Sequence, residues 1–157
     1  MAGVSFHFDS MQAMISKIQG LMSGGKLPGL TNGPTLQEKL NLQIESNKLP
    51  TVLVAPWGAE KINDITGILQ LDNFGYPTGI AIIADVTAAG MTQEKRLGWR
   101  QTIMQALTNS DPGLVEMGGY SFNWVTQPMP IVDPDAWRVN KWVSGIVVWS
   151  YVSQPRL

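Results

Sequence analysis

Cysteine is absent from the 157-residue chain. Disulfides, thiolate nucleophiles and cysteine-ligated zinc are therefore excluded together, while the redox compartment is left open. Histidine occurs once, as His7. A Ser–His–Asp arrangement would have to use it as base, and no Gly-x-Ser-x-Gly elbow accompanies it. Charge is sparse too: Asp, Glu, Lys and Arg make up 15% of the residues, against roughly 25% in an average soluble domain. The missing charges would ordinarily cover the outside, so part of the surface is expected to be adhesive. Twelve acidic and eleven basic residues leave a net charge of −1, which provides no general pull on nucleic acid or anionic membranes. Long hydrophobic runs are missing as well. The longest, at 51–55, 79–84 and 145–149, fall far short of the ~20 residues that span a bilayer. Residues 1–10 contain no Lys or Arg, and Asp9 interrupts any apolar run, so no secretory signal is expected and the chain reads as soluble.

What is present suits one compact domain. Apolar residues reach 44%, with six Trp and eight Met, and a chain of this length buries about 70% of the surface it exposes when unfolded. Met11, Met14, Ile15, Ile18, Leu21 and Met22 recur at helical spacing after a capping Asp9 or Ser10, and Gly24-Gly25 ends the pattern. Glycine and proline make 24–34 a loop, and 35–46 is irregular or mixed, because its leucines and Ile44 fit both helical and alternating periods. Residues 49–55 and 79–86 are apolar strands, separated by a connection with a hairpin through 65–71 as an option. Thr92 opens a second helix, with Trp99, Ile103, Ala106 and Leu107 on its apolar face. Tyr120, Phe122 and Trp124 alternate with Ser121 and Asn123 as a strand, and 137–152 forms one long strand or two. The expectation is a single α+β domain over 1–157, with an antiparallel or mixed β-sheet, two main helices on one face, and a long loop at about 56–78.

The groups that carry chemistry do not converge in the sequence. His7 stands alone near the terminus, and a neutral structural role outweighs a catalytic one. Asp133-Pro134-Asp135 brings two acids together, but its prolines mark a turn. Glu60, Asp64 and Asp72 lack the dense alternation of a calcium loop. Gly24-Gly25-Lys26 ends a helix where a phosphate loop would open one. Arg96, Arg100 and Lys95 form a basic cluster in which Arg96 and Arg100 share a helix face, and a solvated face outweighs a phosphate contact there. No catalytic residue, cofactor or metal ligand is expected, and the chain is read as no enzyme.

The last strand is unusual in being apolar on both faces. Trp142, Ser144, Ile146, Val148, Ser150 and Val152 line one, and Val143, Gly145, Val147, Trp149 and Tyr151 the other. An antiparallel sheet normally shows one face to water, so the second needs a cover, either another helix or another subunit. Trp57, Trp137, Trp142, Trp149 and Tyr151 are the candidate packing and interface residues. A second use of aromatics, a stacking platform of Tyr120, Phe122 and Trp124 for a sugar or base, stays open beside it.

The order of elements resembles that of the tail terminator, or tail completion, proteins of long-tailed bacteriophages. An N-terminal helix precedes a strand introduced by Leu49-Pro50, here Leu49-Pro50-Thr51-Val52-Leu53-Val54. A second strand at 79–86 feeds a long helix at 92–109, and strands at 120–125 and 138–152 close the sheet, the last ending near Arg156. The segments 24–46 and 57–77 are longer than a minimal member needs. The resemblance implies a structural virion protein at the head–tail junction. It would form a homo-oligomeric ring, commonly a hexamer, which caps the tail tube and joins it to a head-side connector or neck protein. DNA would pass through its lumen without specific binding. Assembly in the host cytoplasm, location in the virion and absence from membranes follow from the same likeness. Other neck, connector or tail-tube roles share parts of the layout.

Overall fold

The computed structural model describes residues 5–65, 71–108, 116–117, 120–128 and 140–155. Its elements run α1 (Phe6–Ser23), β1 (Asn32–Leu36), a 3-10 turn (Ser46–Lys48), β2 (Thr51–Pro56), β3 (Lys61–Ile65), β4 (Leu71–Asp85), α2 (Gln93–Leu107), β5 (Glu116–Met117), β6 (Tyr120–Pro128) and β7 (Lys141–Pro155). Among the described residues the strands form one sheet ordered β1-β2-β4-β7-β6-β5, with β3 also paired to β4. Among the described strands only β1 and β2 run parallel. Both helices pack on one face, and the fold is α+β with a mixed sheet.

α1 begins one turn before the expected cap. Ser5 is the N-cap, its Oγ accepting the Phe8 N–H at 3.2 Å, so Asp9 and Ser10 lie inside the helix. The extra turn brings Phe6 against the core and leaves Ser10 fully buried. Met11, Met14, Ile15 and Ile18 form the buried stripe as their spacing requires. The chain leaves through Gly24 and then Gly25 at φ +70°, a conformation that glycine takes without steric cost. α2 is capped by Thr92, which accepts the Lys95 N–H.

The long loop expected at 56–78 is largely a β-hairpin arm. β3 pairs with the first half of β4, from Lys61↔Gly75 to Ile65↔Leu71, and the same half of β4 pairs with β7 on its other side. Gly75 and Pro77 disfavour a strand locally, yet both sit within one of roughly 50 Å. Pro77 is tolerated because it faces the gap between β3 and β2, where its carbonyl accepts the Trp57 N–H at 3.0 Å. The missing N–H is therefore not one that β7 needed. Pro34 likewise falls within a strand instead of the expected loop, on the edge strand β1.

Two cores flank the sheet. The larger lies under the helices and joins Met14, Ile18, Trp99 and Ile103 to Val52, Ile80, Ile82, Ile146 and Val148. The smaller, on the far face, gathers Leu53, Ala81, Ile83 and Val143 beneath Leu40, Leu42, Ile44 and Leu49. The cover over this end of the second face is thus neither a helix nor another subunit. It is the irregular segment 37–49, whose alternating leucines and Ile44 lay one apolar edge on the strands. The strap is tied by Lys141 Nζ, which donates to the Ile44 carbonyl at 2.8 Å.

Candidate functional site

The strap reaches as far as Leu40, which meets Trp57 over Gly79, and beyond it aromatic rings lie on the strands. Trp149 and Tyr151 of β7 stack with ring centroids 6.1 Å apart and planes 19° from parallel. Glycine on β4 makes room for the rings, Gly75 being the register partner of Tyr151. A Cβ at Gly75 would stand 2.8 Å from the Tyr151 ring, and one at Gly79 would stand 3.1 Å from Trp57 Cβ. Trp57, just past β2, is 41% exposed, and Val125, paired with Trp149 across β6 and β7, is 46% exposed. The Trp149 indole N–H donates to Gln127 Oε1 at 3.2 Å, and Lys61 Nζ rests 4.1 Å from the Trp149 ring centre. Between these groups Trp57, Gly58, Ala59, Gln127, Val147 and Trp149 line a shallow cleft of about 300 Å³.

Of the five aromatics expected at an interface or in packing, the structure brings Trp57, Trp149 and Tyr151 to this one surface. Trp142 lies on the opposite face, buried in the larger core with the Arg96 guanidinium 5.9 Å from its ring centre. Trp137 lies outside the described residues.

The alternative platform does not hold together. Trp124 points into the helix-side core, where its indole N–H donates to Ser10 Oγ at 2.7 Å. Ser10 in turn bonds Ser150 Oγ at 2.5 Å. A row containing Trp124 cannot stack an external ring. For Tyr120 and Phe122 the structure describes the backbone alone.

The remaining chemical candidates disperse. His7 is not isolated at a free end. It docks on β4, with Nε2 3.1 Å from Thr78 Oγ1 and its ring stacked on Tyr76. Burial lowers its pKa below the usual 6.5, against the opposing pull of Glu60. Burial, followed by Glu60, raises the Tyr76 phenol. Asp64 and Asp72 are backbone register partners of β3 and β4, and Asp133 and Asp135 fall outside the described residues. Among the described residues no three His, Asp or Glu side chains stand together to hold a metal ion. No helix among them is long and apolar enough to cross a membrane.

Arg96 and Arg100 correct the expectation of a solvated face. They are only 8% and 7% exposed. Arg100 Nη1 donates to Ser144 Oγ and to the Gly145 carbonyl, and desolvation by burial lowers its pKa. The two arginines span the helix–sheet contact with aliphatic stems and polar heads. The sequence held a signal for this: Ser144 and Ser150 interrupt the otherwise apolar helix-facing side of β7. Buried hydroxyls require partners, and α2 and α1 supply them.

No known protein family and no curated protein matches the chain. Its fold is similar to that of a chain in the virion of a native gene transfer agent particle. The identity is 15% and the TM-score 0.53, covering 92% of this chain and 94% of that one.

Proposed function

We propose that the protein is a structural component of a phage-like virion, a tail terminator that rings the head–tail junction. The carrying observation is the fold likeness to a chain of an assembled virion, which extends over nearly the whole length of both. The open aromatic surface around Trp57, Trp149 and Tyr151 supports the assembly element of this reading. In it, the protein packs against its own copies in a closed ring, with the tail tube below and a head-side connector above. DNA passes through without being gripped, in keeping with a net charge of −1. The work is geometric, and the reading requires no catalytic residue or cofactor.

Solution mass by light scattering, followed by negative-stain imaging of the same fraction, tests it. A closed ring of about six subunits, or a ring formed on isolated tail tubes, is the expected result. A ring of other symmetry keeps a virion role and moves the station. A monomer that also fails to cap tail tubes defeats the reading.

A further inference from the structure

β1 and β2 are parallel neighbours, so the chain has to cross a face of the sheet to pass from one to the other. A helix usually makes such a crossing. Here the strap at 37–49 makes it, with the short turn Ser46–Lys48 as its one regular element. Its two ends are fixed to the sheet. The Gln37 N–H donates to the Val54 carbonyl at 2.8 Å, and beyond the other end the Pro50 carbonyl accepts the Asn32 N–H at 3.3 Å. Between those ends the strap bonds chiefly to itself. The Asn41 N–H donates to Gln37 Oε1 at 2.9 Å and the Gln43 N–H to Asn41 Oδ1 at 3.0 Å, while the Lys48 and Leu49 N–H groups bond within the turn. Among the described residues, the Lys141 amine on the Ile44 carbonyl is the only hydrogen bond that ties 38–48 to the sheet. The remaining hold is the packing of Leu40, Leu42, Ile44 and Leu49, all of them only half-buried.

We infer that the strap is a separate unit of low stability, which lifts off the sheet as one piece while the sheet and the helix-side core stay folded. Segments open locally where few buried contacts and few tertiary hydrogen bonds hold them. The strap's internal bonds travel with it, so lifting breaks one hydrogen bond to the sheet between its fixed ends. The amine left behind keeps a partner at hand, because Asp85 of β4 is the register partner of Lys141 and lies on the same sheet face. The side chains uncovered, Leu53, Ala81, Ile83 and Val143, are aliphatic and strand no polar group. The larger core lies on the opposite face and contains none of them, so it survives the opening. Leu40 marks the boundary with the aromatic surface, since it and Trp57 both lie against Gly79. Lifting therefore joins the patch at Ala81 and Ile83 to the surface at Trp57. The fold thus carries a means of varying how much apolar sheet it shows.

The absence of cysteine allows a direct test by thiol labelling. Ala81→Cys places a thiol beneath the strap and Ala84→Cys one in the helix-side core, at positions 2% and 0% exposed. Urea unfolding verifies that each variant folds. With Ellman's reagent in native buffer, Ala81→Cys should react at least about 100-fold faster than Ala84→Cys, yet far more slowly than a free thiol. Its rate should hardly change with urea below the unfolding transition, since lifting exposes little surface. Lys141→Met should speed the Ala81→Cys reaction about 10-fold, the effect of losing a charged hydrogen bond. Ile103→Val should speed the Ala84→Cys reaction about fivefold and leave Ala81→Cys unchanged, because the lifted state keeps the core that holds Ile103. The inference fails if the two thiols share one rate and one urea dependence, for both then wait on global unfolding. It fails too if Lys141→Met leaves Ala81→Cys unmoved, or if that thiol reacts as a free one, for the strap is then no gate. Should a cysteine variant not fold, trypsin on the parent decides. Cleavage after Lys39 or Lys48 with little urea dependence supports lifting, and cleavage there only through global unfolding overturns it.

Discussion

Ser10 shows how one small side chain organises the helix–sheet contact. It is fully buried, accepts the Trp124 indole N–H and bonds Ser150 Oγ, so one hydroxyl joins α1, β6 and β7. Ser10→Ala leaves two buried polar groups without that partner and fills no space. The expected loss is about 1–3 kcal/mol in urea unfolding. Adding Trp124→Phe should cost less than the sum of the single changes, because the indole donor then no longer needs satisfying. Gly75 is the converse case, where a missing side chain matters. Its bare Cα makes room for the Tyr151 ring, and the aromatic surface lies flat for that reason.

Among the elements, α1 is the one whose docking responds to pH. Its first turn is held through His7 to Thr78 and Tyr76, and burial favours the neutral imidazole. The folded pKa lies below the unfolded 6.5, so the unfolded chain binds more protons in between. This contribution is complete above about pH 6.5 and is lost as the pH falls below it toward the folded value. Unfolding free energies of the parent and of His7→Gln, measured from pH 8 to 5, should run parallel at the upper end. They should converge below pH 6.5, with the parent losing more. Glu60 opposes the shift, so replacing it with Gln should widen the parent's loss. The strap at 37–49 is the other element with a distinct task. It lays Leu40, Leu42, Ile44 and Leu49 on Leu53, Ala81, Ile83 and Val143 of the far sheet face.

For the whole molecule, the decisive quantity is where the few charges lie. Neutral faces associate through apolar burial and uncharged hydrogen bonds, which salt screens little. Assembly followed by light scattering should therefore change by less than about threefold in midpoint concentration between 50 and 500 mM salt. A steep loss with salt would assign the contacts to the charged loops.

Much of the fold was legible in local pattern. The stripes of α1 and α2, the cap at Thr92, and the apolar runs of β2, β4 and β7 follow from side-chain period and capping chemistry, which act over a few residues. The double apolarity of β7 was also readable, and with it the need for a second cover. What covers it was decided only by tertiary structure, because the leucines and Ile44 of 37–49 fit helical and alternating periods alike and gain their place by packing on distant strands. The hairpin through 65–71 was an option in the sequence, but the length of β4 was not legible: Gly75 and Pro77 break strands locally, and only β7 alongside makes them acceptable. Burial of Arg96 and Arg100, the fate of Trp124, and the meeting of Trp57 with Trp149 and Tyr151 depended on which faces the sheet turned toward the helices. Sequence period determines that a face exists. Packing against residues far away in the chain determines whether that face becomes core or surface.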